Sequence, residues 1–414
     1  MRSHRSLNFE RSNITRGSSL FLGLIAYCFA LTIGILGLAG AIYSASLGKQ
    51  FDENVTHRLN TPAHNYKPQT CVIMACKGNE SGLERNIEAI LNQKYERFHI
   101  IIVTDSTDDP AYSIANSVLT QNSKNRAQLC TSTQHPGASG KVSALLTALE
   151  TDGWSSEAYA FIDSDALASN GWLAALIDPL SDESTGATTG FRWYFPPEGG
   201  FWSHVEAVWN ASGTNLLFDD RYNFPWGGAM AIRRDTLRRI NVEEVWENAI
   251  SDDLSLNSAL RKYGYGVTFL PQCCVATYNE TDLHGLVSWA TRQVTLTKVY
   301  FRKLWKYGLA AYAFSNLITS LGFVSIIAGI LVSPIWYLPS FIFFIPSLSG
   351  VYRSDQRART FKRAMPQFAN EFEKTRLLDA VASLIVPWIM TYCIIKSARI
   401  NEIEWRGRKY QLTK

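Results

Sequence analysis

Carboxylates that follow apolar runs are the residues best placed to do chemistry. Asp163 and Asp165 form an Asp-Ser-Asp triplet immediately after the apolar run 158–162. Two carboxylates at this spacing project from one turn as hard oxygen ligands, which suits Mg²⁺ or Mn²⁺ and leaves coordination positions for water and diphosphate oxygens. Such a triplet is also common in surface turns, so its place at the end of an apolar run is what favours a metal site.

Asp105 ends the apolar run 99–103 in the same way. A carboxylate at a strand end can accept hydrogen bonds from a nucleobase or a ribose. The alternative is an aspartate that only caps the turn.

Lys141 is a candidate phosphate ligand. It enters a predicted helix after the loop 135–140, where its ammonium group and the free N–H groups of the helix N-terminus can bind phosphate oxygens. The spacing GxxxxGK[ST] is absent, which argues against an ATPase. A lysine that is only solvated is the alternative.

Asp252 and Asp253 open the amphipathic segment 254–264. One of these carboxylates can cap the helix, and a deprotonated aspartate in this position can also act as general base for an acceptor hydroxyl. Gly227 and Gly228 precede another apolar run. Paired glycines before a strand allow a ligand to approach the backbone closely, so Gly228 is a candidate contact.

The elements that must position these groups alternate along the chain. Continuous apolar runs separated by helical periodicity predict a parallel sheet with helices on both faces, and ligands in such sheets bind at the carboxyl ends of the strands. The predicted strands are 70–75, 99–103, 127–131 and 158–162, and the predicted helices are 82–91, 110–120 and 141–150. The fold class is therefore α/β.

The average composition hides apolar windows. With 46% hydrophobic residues, 18% charged residues, a net charge of +4 and a mean hydropathy of −0.06, the chain resembles a soluble protein. Yet residues 20–42 form an apolar run long enough to span a bilayer, for which a cleaved signal peptide is the alternative. Residues 307–352 predict a hairpin of two spans, 311–332 and 335–352. Residues 377–395 either span or dip in and return, because Asp379 and Pro387 interrupt them.

The chain accordingly divides into eight parts. They are a basic tail 1–17, a transmembrane anchor 18–47, a linker 48–69, an α/β domain 70–306, a transmembrane hairpin 307–352, a basic interfacial loop 353–376, a transmembrane or re-entrant helix 377–396 and a basic tail 397–414.

The charge pattern predicts an orientation with one conflict. The loop 353–376 holds seven basic residues, so the positive-inside rule places it and the α/β domain in the cytoplasm. A single helix before that domain would then send the N-terminal arginines outward, and a spanning last helix would do the same to the C-terminal tail. We expect a multi-pass protein of the plasma or inner membrane whose basic flanks bind anionic lipid headgroups. A nucleic-acid binder would carry a denser basic face.

Several stretches together resemble the glycosyltransferase family 2 type of enzyme, closest to the membrane-bound ceramide glucosyltransferase-like branch. They are KGNESGLERNIEAILNQKYERFHIIIVTDSTDDPAY (77–112), GKVSALLTAL (140–149), YAFIDSDA (159–166), GGAMAIRRDTL (227–237), SDDLSLNSALRKYGY (251–265), WATRQVTLTKVY (289–300) and IEWRGRKYQL (403–412). They cover most of the region between the membrane windows, in the family's order.

The resemblance implies a GT-A fold, a UDP-sugar donor and a divalent metal, Mg²⁺ or Mn²⁺. By position, Asp105 would contact the uridine, Asp163 and Asp165 the metal and diphosphate, and Asp253 would be the catalytic base. The other donor-binding residues would be Lys77, Lys141, Gly228, Arg292 and Gln293. The family signature (Q/R)xxRW appears as Trp289-Ala290-Thr291-Arg292-Gln293, so the arginine is kept and the tryptophan is replaced.

The resulting expectation is a membrane-bound inverting glycosyltransferase that moves a hexose from a UDP-sugar to a lipid hydroxyl. A processive polysaccharide synthase is the alternative enzyme. A non-catalytic membrane scaffold with a degenerate sugar-nucleotide fold is the alternative from another class.

Overall fold

The computed structural model of the chain describes residues 2–122, 126–405 and 408–412, and it leaves aside the side chains of residues 2–20, 22 and 405. The helices are α1 (Arg2–Leu59), α2 (Leu83–Leu91), α3 (Pro110–Gln121), α4 (Gly140–Asp152), α5 (Trp172–Ile177), α6 (Phe201–Ser212), α7 (Arg234–Arg239), α8 (Val242–Glu247), α9 (Asp252–Lys262), α10 (Leu283–Tyr300), α11 (Arg302–Leu331), α12 (Tyr337–Ala364) and α13 (Ala369–Ala398). The strands are β1 (Thr70–Cys76), β2 (Phe98–Thr104), β3 (Ala127–Thr131), β4 (Ala158–Asp163), β5 (Thr185–Thr189), β6 (Arg192–Tyr194), β7 (Ala229–Arg233), β8 (Gly266–Phe269), β9 (Val275–Thr277), β10 (Glu402–Trp405) and β11 (Arg408–Gln411).

Seven strands form the main sheet in the order β3-β2-β1-β4-β7-β5-β8. The first four are parallel, β7 runs antiparallel to both of its neighbours, and β5 pairs in parallel with β8. The prediction of a mostly parallel α/β sheet is confirmed. The four predicted strands and three predicted helices lie within about two residues of their expected bounds, because continuous apolar runs bounded by turn residues specify buried strands well.

Both faces of the sheet are covered. In β1, Val72 and Met74 face α2, α3 and α5, while Cys71 and Ile73 face α4, α8 and α9. All four of these side chains are fully buried. Because β1 pairs with β2 and β4, the ends of these strands bring Asp105 and the Asp163-Ser164-Asp165 triplet to one edge.

The predicted linker 48–69 is wrong in its first half, because α1 continues to Leu59. Phe51, Val55 and Leu59 follow helical spacing, and Phe51 and Val55 are buried in a cluster with residues of the α/β domain and of α12. This apolar stripe stabilises the helix beyond the expected membrane segment as far as Leu59.

Four helices of the described chain are long and apolar enough to cross a membrane, namely Gly23–Leu59, Arg302–Leu331, Pro334–Ala364 and Pro366–Ala398. α11 ends at Leu331 and α12 begins at Tyr337 after a short helical turn at Pro334–Trp336, close to the expected break between the spans 311–332 and 335–352. The interval 353–376 is mainly helical rather than a loop, since α12 runs to Ala364 and α13 starts at Ala369. Met365 and Pro366 mark the turn between them.

Candidate functional site

One cavity of about 860 Å³ opens at the carboxyl edge of the sheet. Eight of the nine predicted site residues line it, namely Lys77, Asp105, Lys141, Asp163, Asp165, Asp253, Arg292 and Gln293. The first and the last of them, Lys77 and Gln293, are more than 200 residues apart in the sequence. The fold therefore gathers the predicted groups into one site.

Asp163 and Asp165 are held together by Arg192, the first residue of β6. One Nη of Arg192 donates to Asp163 Oδ2 at 2.7 Å and to Asp165 Oδ1 at 2.8 Å, and its other Nη donates to Asp165 Oδ2 at 2.9 Å. The guanidinium group also lies over the Trp226 ring, 5.0 Å from its centroid. Burial lowers the pKa of Arg192, but Asp165 and Asp163 outweigh this and raise it. The two carboxylates thus converge on one cationic point.

Lys141 joins this group from the start of α4. Its ammonium nitrogen lies 2.7 Å from Asp163 Oδ1 and 3.0 Å from Asp252 Oδ2. Burial lowers the pKa of Lys141, and the adjacent carboxylates raise it by more. Asp252 is buried, and burial raises its pKa. The predicted phosphate ligand is therefore a partly buried, ion-paired lysine rather than a solvated one.

The charge of this cluster fits a divalent ion. When all groups are ionised, the four carboxylates of Asp163, Asp165, Asp252 and Asp253 face the two cations Lys141 and Arg192, which leaves two negative charges. Oxygen donors from two carboxylates are the ligands that Mg²⁺ and Mn²⁺ prefer. The residues present therefore suit a divalent metal with Asp163 and Asp165 as ligands.

A second group with metal-ligating side chains lies elsewhere. Cys71, His99 and Asp152 place their ligand atoms within 4.8 Å of one another, near the amino ends of β1 and β2. Asp152 already accepts hydrogen bonds from His99, Tyr159 and Ser156. Burial raises the pKa of Asp152, but these hydrogen bonds lower it by more. We assign this group a structural role in joining α4 to the sheet.

Asp253 faces the cavity from the first turn of α9. Its Oδ2 accepts from the Gly227 N–H at 3.1 Å, and its Oδ1 accepts from the Leu254 N–H at 2.7 Å and from the Ser251 hydroxyl. In the described part of the chain these donors are all neutral, and no ion pair neutralises Asp253. A carboxylate oriented by neutral donors at a helix N-terminus is suited to accept a proton from a substrate.

Gly228 is the one predicted site residue that does not line the cavity. A Cβ at Gly227 would lie 2.1 Å from Asp252 Oδ2, and a Cβ at Gly228 would lie 2.6 Å from Asp163 Oδ2 and closer still to the Trp226 ring. Both glycines therefore let the backbone pass close behind the carboxylates. The backbone at these glycines approaches side chains of the protein itself. Donor binding by Gly228 stays a prediction.

The other end of the site is closed by the C-terminal hairpin β10–β11. One Nη of Arg408 donates to both oxygens of Asp105 at 2.8 and 2.9 Å, and Lys77 donates to Oδ2 at 2.8 Å. The Gly140 N–H donates to the Tyr410 hydroxyl at 3.2 Å. Partial burial raises the pKa of Asp105, but the bond from Lys77 and the charge of Arg408 lower it by more.

Towards the long apolar helices the cavity wall becomes apolar and aromatic. Its lining there consists of Trp209, Trp289, Leu304, Trp305, Gly308, Tyr312, Met390 and Ile394. Trp209 and Trp289 pack edge to face with centroids 4.9 Å apart. Arg292 and Gln293 of α10 line the same cavity, so the sequence signature faces the space that the carboxylates also face.

Glu206 is a buried carboxylate on this wall. It is 3% exposed, lines the cavity from α6, and accepts a hydrogen bond from Asn279 at 2.9 Å. Burial raises the pKa of Glu206 to about 7, although Asn279, Arg192 and Arg292 act in the opposite direction. At neutral pH this group can therefore exchange a proton.

Arg192, Glu206, Arg408 and Tyr410 are site residues to which the sequence assigned no role, and the role of Asp252 was not separated from that of Asp253. Asp252 was visible as one of two candidate caps, and the tail 403–412 was visible as a matching stretch. Arg192 and Glu206 stand in no recognisable motif. Their positions depend on the pairing of β6 with β9 and on the packing of α6 against β6, which local patterns do not determine.

The model of the family described as "Glycosyl transferase family 21" matches residues 30–414. No curated protein matches the chain significantly. The motif set led to an expectation of family 2, and the finding supports the broader statement, that the chain is a glycosyltransferase. The finer assignment to family 2 stays a prediction.

Two solved structures are similar to the chain. A mannosyltransferase, PcManGT from Pyrobaculum calidifontis, described in complex with GDP-Man and Mn²⁺, has a TM-score of 0.46 at 18% identity, with coverage of 89% of this chain and 97% of that chain. GalNAc-T7, described with UDP, GalNAc and Mn²⁺, has a TM-score of 0.42 at 13% identity, with coverage of 60% and 51%. Both TM-scores lie below 0.5, and we therefore draw no conclusion about the fold from these two similarities. The α/β assignment rests on the sheet and helices of this chain.

Proposed function

We propose a donor, an acceptor and a catalytic base for this chain, which belongs to glycosyltransferase family 21. The donor is a UDP-hexose, the acceptor is a lipid hydroxyl, and the transfer inverts the anomeric centre. Asp253 is the base.

The observation that carries the proposal is the continuity of one cavity from charged to apolar walls. Asp105 and Lys141 lie at the charged end, and Tyr312 and Ile394 of the apolar helices lie at the other. A nucleotide diphosphate suits the first end and an acyl or alkyl chain suits the second. Asp253 faces the same cavity, as a base for an acceptor hydroxyl requires.

The proposed reaction needs one proton transfer and one displacement. The Asp253 carboxylate removes the proton of the acceptor hydroxyl while the oxygen forms a bond to the anomeric carbon. The bond from that carbon to the diphosphate oxygen breaks, and the nucleotide diphosphate leaves with the electron pair. Lys141 and Arg292 offer positive charge to the leaving group, which favours the transition state.

We propose Asp163 and Asp165 as the ligands of Mg²⁺ or Mn²⁺. When bound, such an ion would neutralise charge that develops on the diphosphate. The two similar glycosyltransferases are each described with Mn²⁺. Arg192, which now bridges both carboxylates, keeps them close together and limits their repulsion.

The proposed location is a bilayer, with the α/β domain in the cytoplasm and anionic headgroups bound by the basic flanks. Many basic residues of 353–376 are engaged within the protein: Arg359 and Arg376 pair with Asp355, Lys362 pairs with Glu373, and Arg363 pairs with Asp52. The surface that remains for headgroups is therefore smaller than the sequence count suggests.

The test is a transfer assay on the full chain in lipid vesicles. UDP-hexoses and GDP-mannose are offered with membrane lipid extracts, with and without Mn²⁺ or Mg²⁺. We expect metal-dependent transfer from a UDP-hexose to a lipid, and a loss of roughly 10²- to 10⁴-fold in kcat for Asp253→Asn, because general base catalysis contributes about that factor.

Asp108→Asn is the matched control, since Asp108 is exposed near the same edge, and it should keep wild-type activity. Full transfer by Asp253→Asn would refute the base. Transfer only from GDP-mannose would refute the donor, and formation of a water-soluble polymer would indicate a polysaccharide synthase.

A further inference from the structure

The last long helix, α13, presents two different faces. The residues exposed along one side recur at spacings of three and four, namely Leu377, Val381, Leu384, Trp388, Tyr392 and Ile395. The opposite side packs against α6 and α10 in a cluster that includes Ala382, Val386, Met390, Cys393 and Ile394. The exposed side is therefore an apolar stripe, and none of the described residues covers it.

The start of α13 is fixed to the α/β domain. The Phe372 ring lies 5.0 Å from the ring centroids of both Trp193 and Phe195. One turn earlier along the same segment, Phe368 packs against Phe195 at 5.7 Å. The helix therefore begins on the side of the membrane where the domain lies.

The end of α13 is fixed to the same domain. Lys298 of α10 donates to the carbonyl oxygens of Ser397 at 2.7 Å and Ile400 at 2.8 Å. The tail then reaches Asp105 through Arg408. Only three residues separate Ala398 from Glu402, a distance far shorter than the hydrocarbon core of about 30 Å. The end of α13 and the described part of the tail therefore lie on the domain's side as well.

The contacts of α13 with its long neighbours agree with this placement. Arg376 and Glu373 of α13 pair with Asp355 and Lys362 of α12. Both α12 residues lie after the charge-free window that ends at Tyr352. On α11, Trp305 donates to the Ser397 hydroxyl, and Asn316 donates to the Pro387 carbonyl. The middle of α13, at Pro387, thus packs against Asn316 in the middle of α11.

We propose that α13 lies in the membrane leaflet on the domain's side, with its exposed apolar stripe against lipid, and that the chain crosses the bilayer three times. Lys374 and Arg376 before the stripe and Lys396 and Arg399 after it place basic residues at both ends, as the positive-inside rule expects of two ends on one side. The neighbouring helix α11 also carries exposed apolar residues such as Phe323 and Val324.

The first experiment maps the two termini in sealed vesicles of the full chain. Epitope tags are placed at the N-terminus, at the C-terminus and in the exposed domain loop 182–184. External protease should cleave the C-terminal tag whenever it cleaves the loop tag, while the N-terminal tag behaves oppositely. A C-terminal tag that shares the protection of the N-terminal tag would overturn the proposal.

The second experiment measures depth with a spin label at Leu384→Cys in a Cys28→Ala, Cys130→Ala background, because the other five cysteines are buried. Val324→Cys on α11 is the reference for the bilayer centre. We expect the label at 384 to be exposed to lipid but shallower than the label at 324. Equal depth would indicate a spanning helix, and spin–spin broadening would indicate a second copy. Both experiments are independent of enzymatic activity.

Discussion

Glu206 differs from the other cavity carboxylates in its environment. Burial raises its pKa to about 7, and its charged neighbours Arg192 and Arg292, with the Asn279 hydrogen bond, only partly oppose this. A carboxyl group that is protonated when folded and ionised when unfolded makes stability depend on pH. The Glu206 contribution is intact below about pH 4.5 and is lost as pH rises through about 7.

We therefore expect the stability of Glu206→Gln to fall less than that of wild type when the pH is raised from 5 to 8. The variant cannot ionise, so its advantage over wild type should grow with pH towards about 3 kcal/mol. The measurement is the melting temperature of both proteins in detergent at pH 5 and pH 8. Glu183→Gln, at an exposed carboxylate, is the control. Parallel pH curves for wild type and Glu206→Gln would contradict the assignment.

Residue type and local position were enough to make Asp163, Asp165 and Asp253 candidate site residues, because a carboxylate at the end of a strand or the start of a helix can be recognised in the sequence. Arg192 could not be found in the same way. An arginine in an aromatic stretch has many possible partners, and only the packing of β6 and β9 beside the sheet brings it to the Asp163 carboxylate.

The C-terminal hairpin β10–β11 forms a wall of the site although it follows all of the long helices. Arg408 also donates to Gln134 at 2.7 Å, so it joins the hairpin to the loop before α4. Hydrogen bonds in which one partner is charged are worth about 1.5 to 3 kcal/mol each. The hairpin therefore contributes to the order of the Asp105 end of the cavity, where we propose that the nucleotide binds.

Arg408→Ala should raise the KM for the nucleotide-sugar donor by roughly tenfold, with a smaller effect on kcat. Arg408 orients Asp105 and supplies positive charge at this end of the cavity, and the variant removes both. Each tenfold loss of donor affinity corresponds to about 1.4 kcal/mol of binding free energy. Steady-state kinetics with a varied donor measure this effect. Lys409→Ala serves as the control, because Lys409 pairs with Glu402 within the hairpin and its side chain is 68% exposed.

A decrease in the donor KM of Arg408→Ala would carry a different meaning. It would show that Arg408 competes with the nucleotide for Asp105 instead of preparing the site.

Most elements of the domain could be predicted, because apolar periodicity and turn residues act over short range. The segments 48–59 and 353–364 could not. Both are polar on one side, and they are helical because each packs against the other and against the domain. Phe51 and Phe361 meet in one buried cluster, with ring centroids 5.9 Å apart.

Across the whole molecule, the cavity joins the α/β domain to the apolar helices. Gly308 of α11 lines the apolar end, and a Cβ there would have only the Ile394 side chain within 4 Å. The cavity can therefore be narrowed at its apolar end, where we propose that the acceptor binds, without a change near the carboxylates.

Gly308→Phe should raise the KM for a lipid acceptor and leave the KM for the donor unchanged, since the added ring fills space needed by an apolar chain. Varying each substrate in turn measures both constants. Gly40→Phe is the matched control, because Gly40 is exposed on α1 with nothing within 4 Å of a Cβ. Equal changes in both KM values would show that the two ends are not separate.

The sequence by itself determined the α/β class, the apolar windows and the identity of the candidate carboxylates, because each of these depends on local spacing or composition. Only the tertiary structure decided the cationic partners of those carboxylates, the closure of the site by the tail, and the return of α13 to the domain. These features join residues as far apart as Asp105 and Arg408. The side of the membrane on which a long apolar helix ends depends on such contacts, which apolar length does not encode.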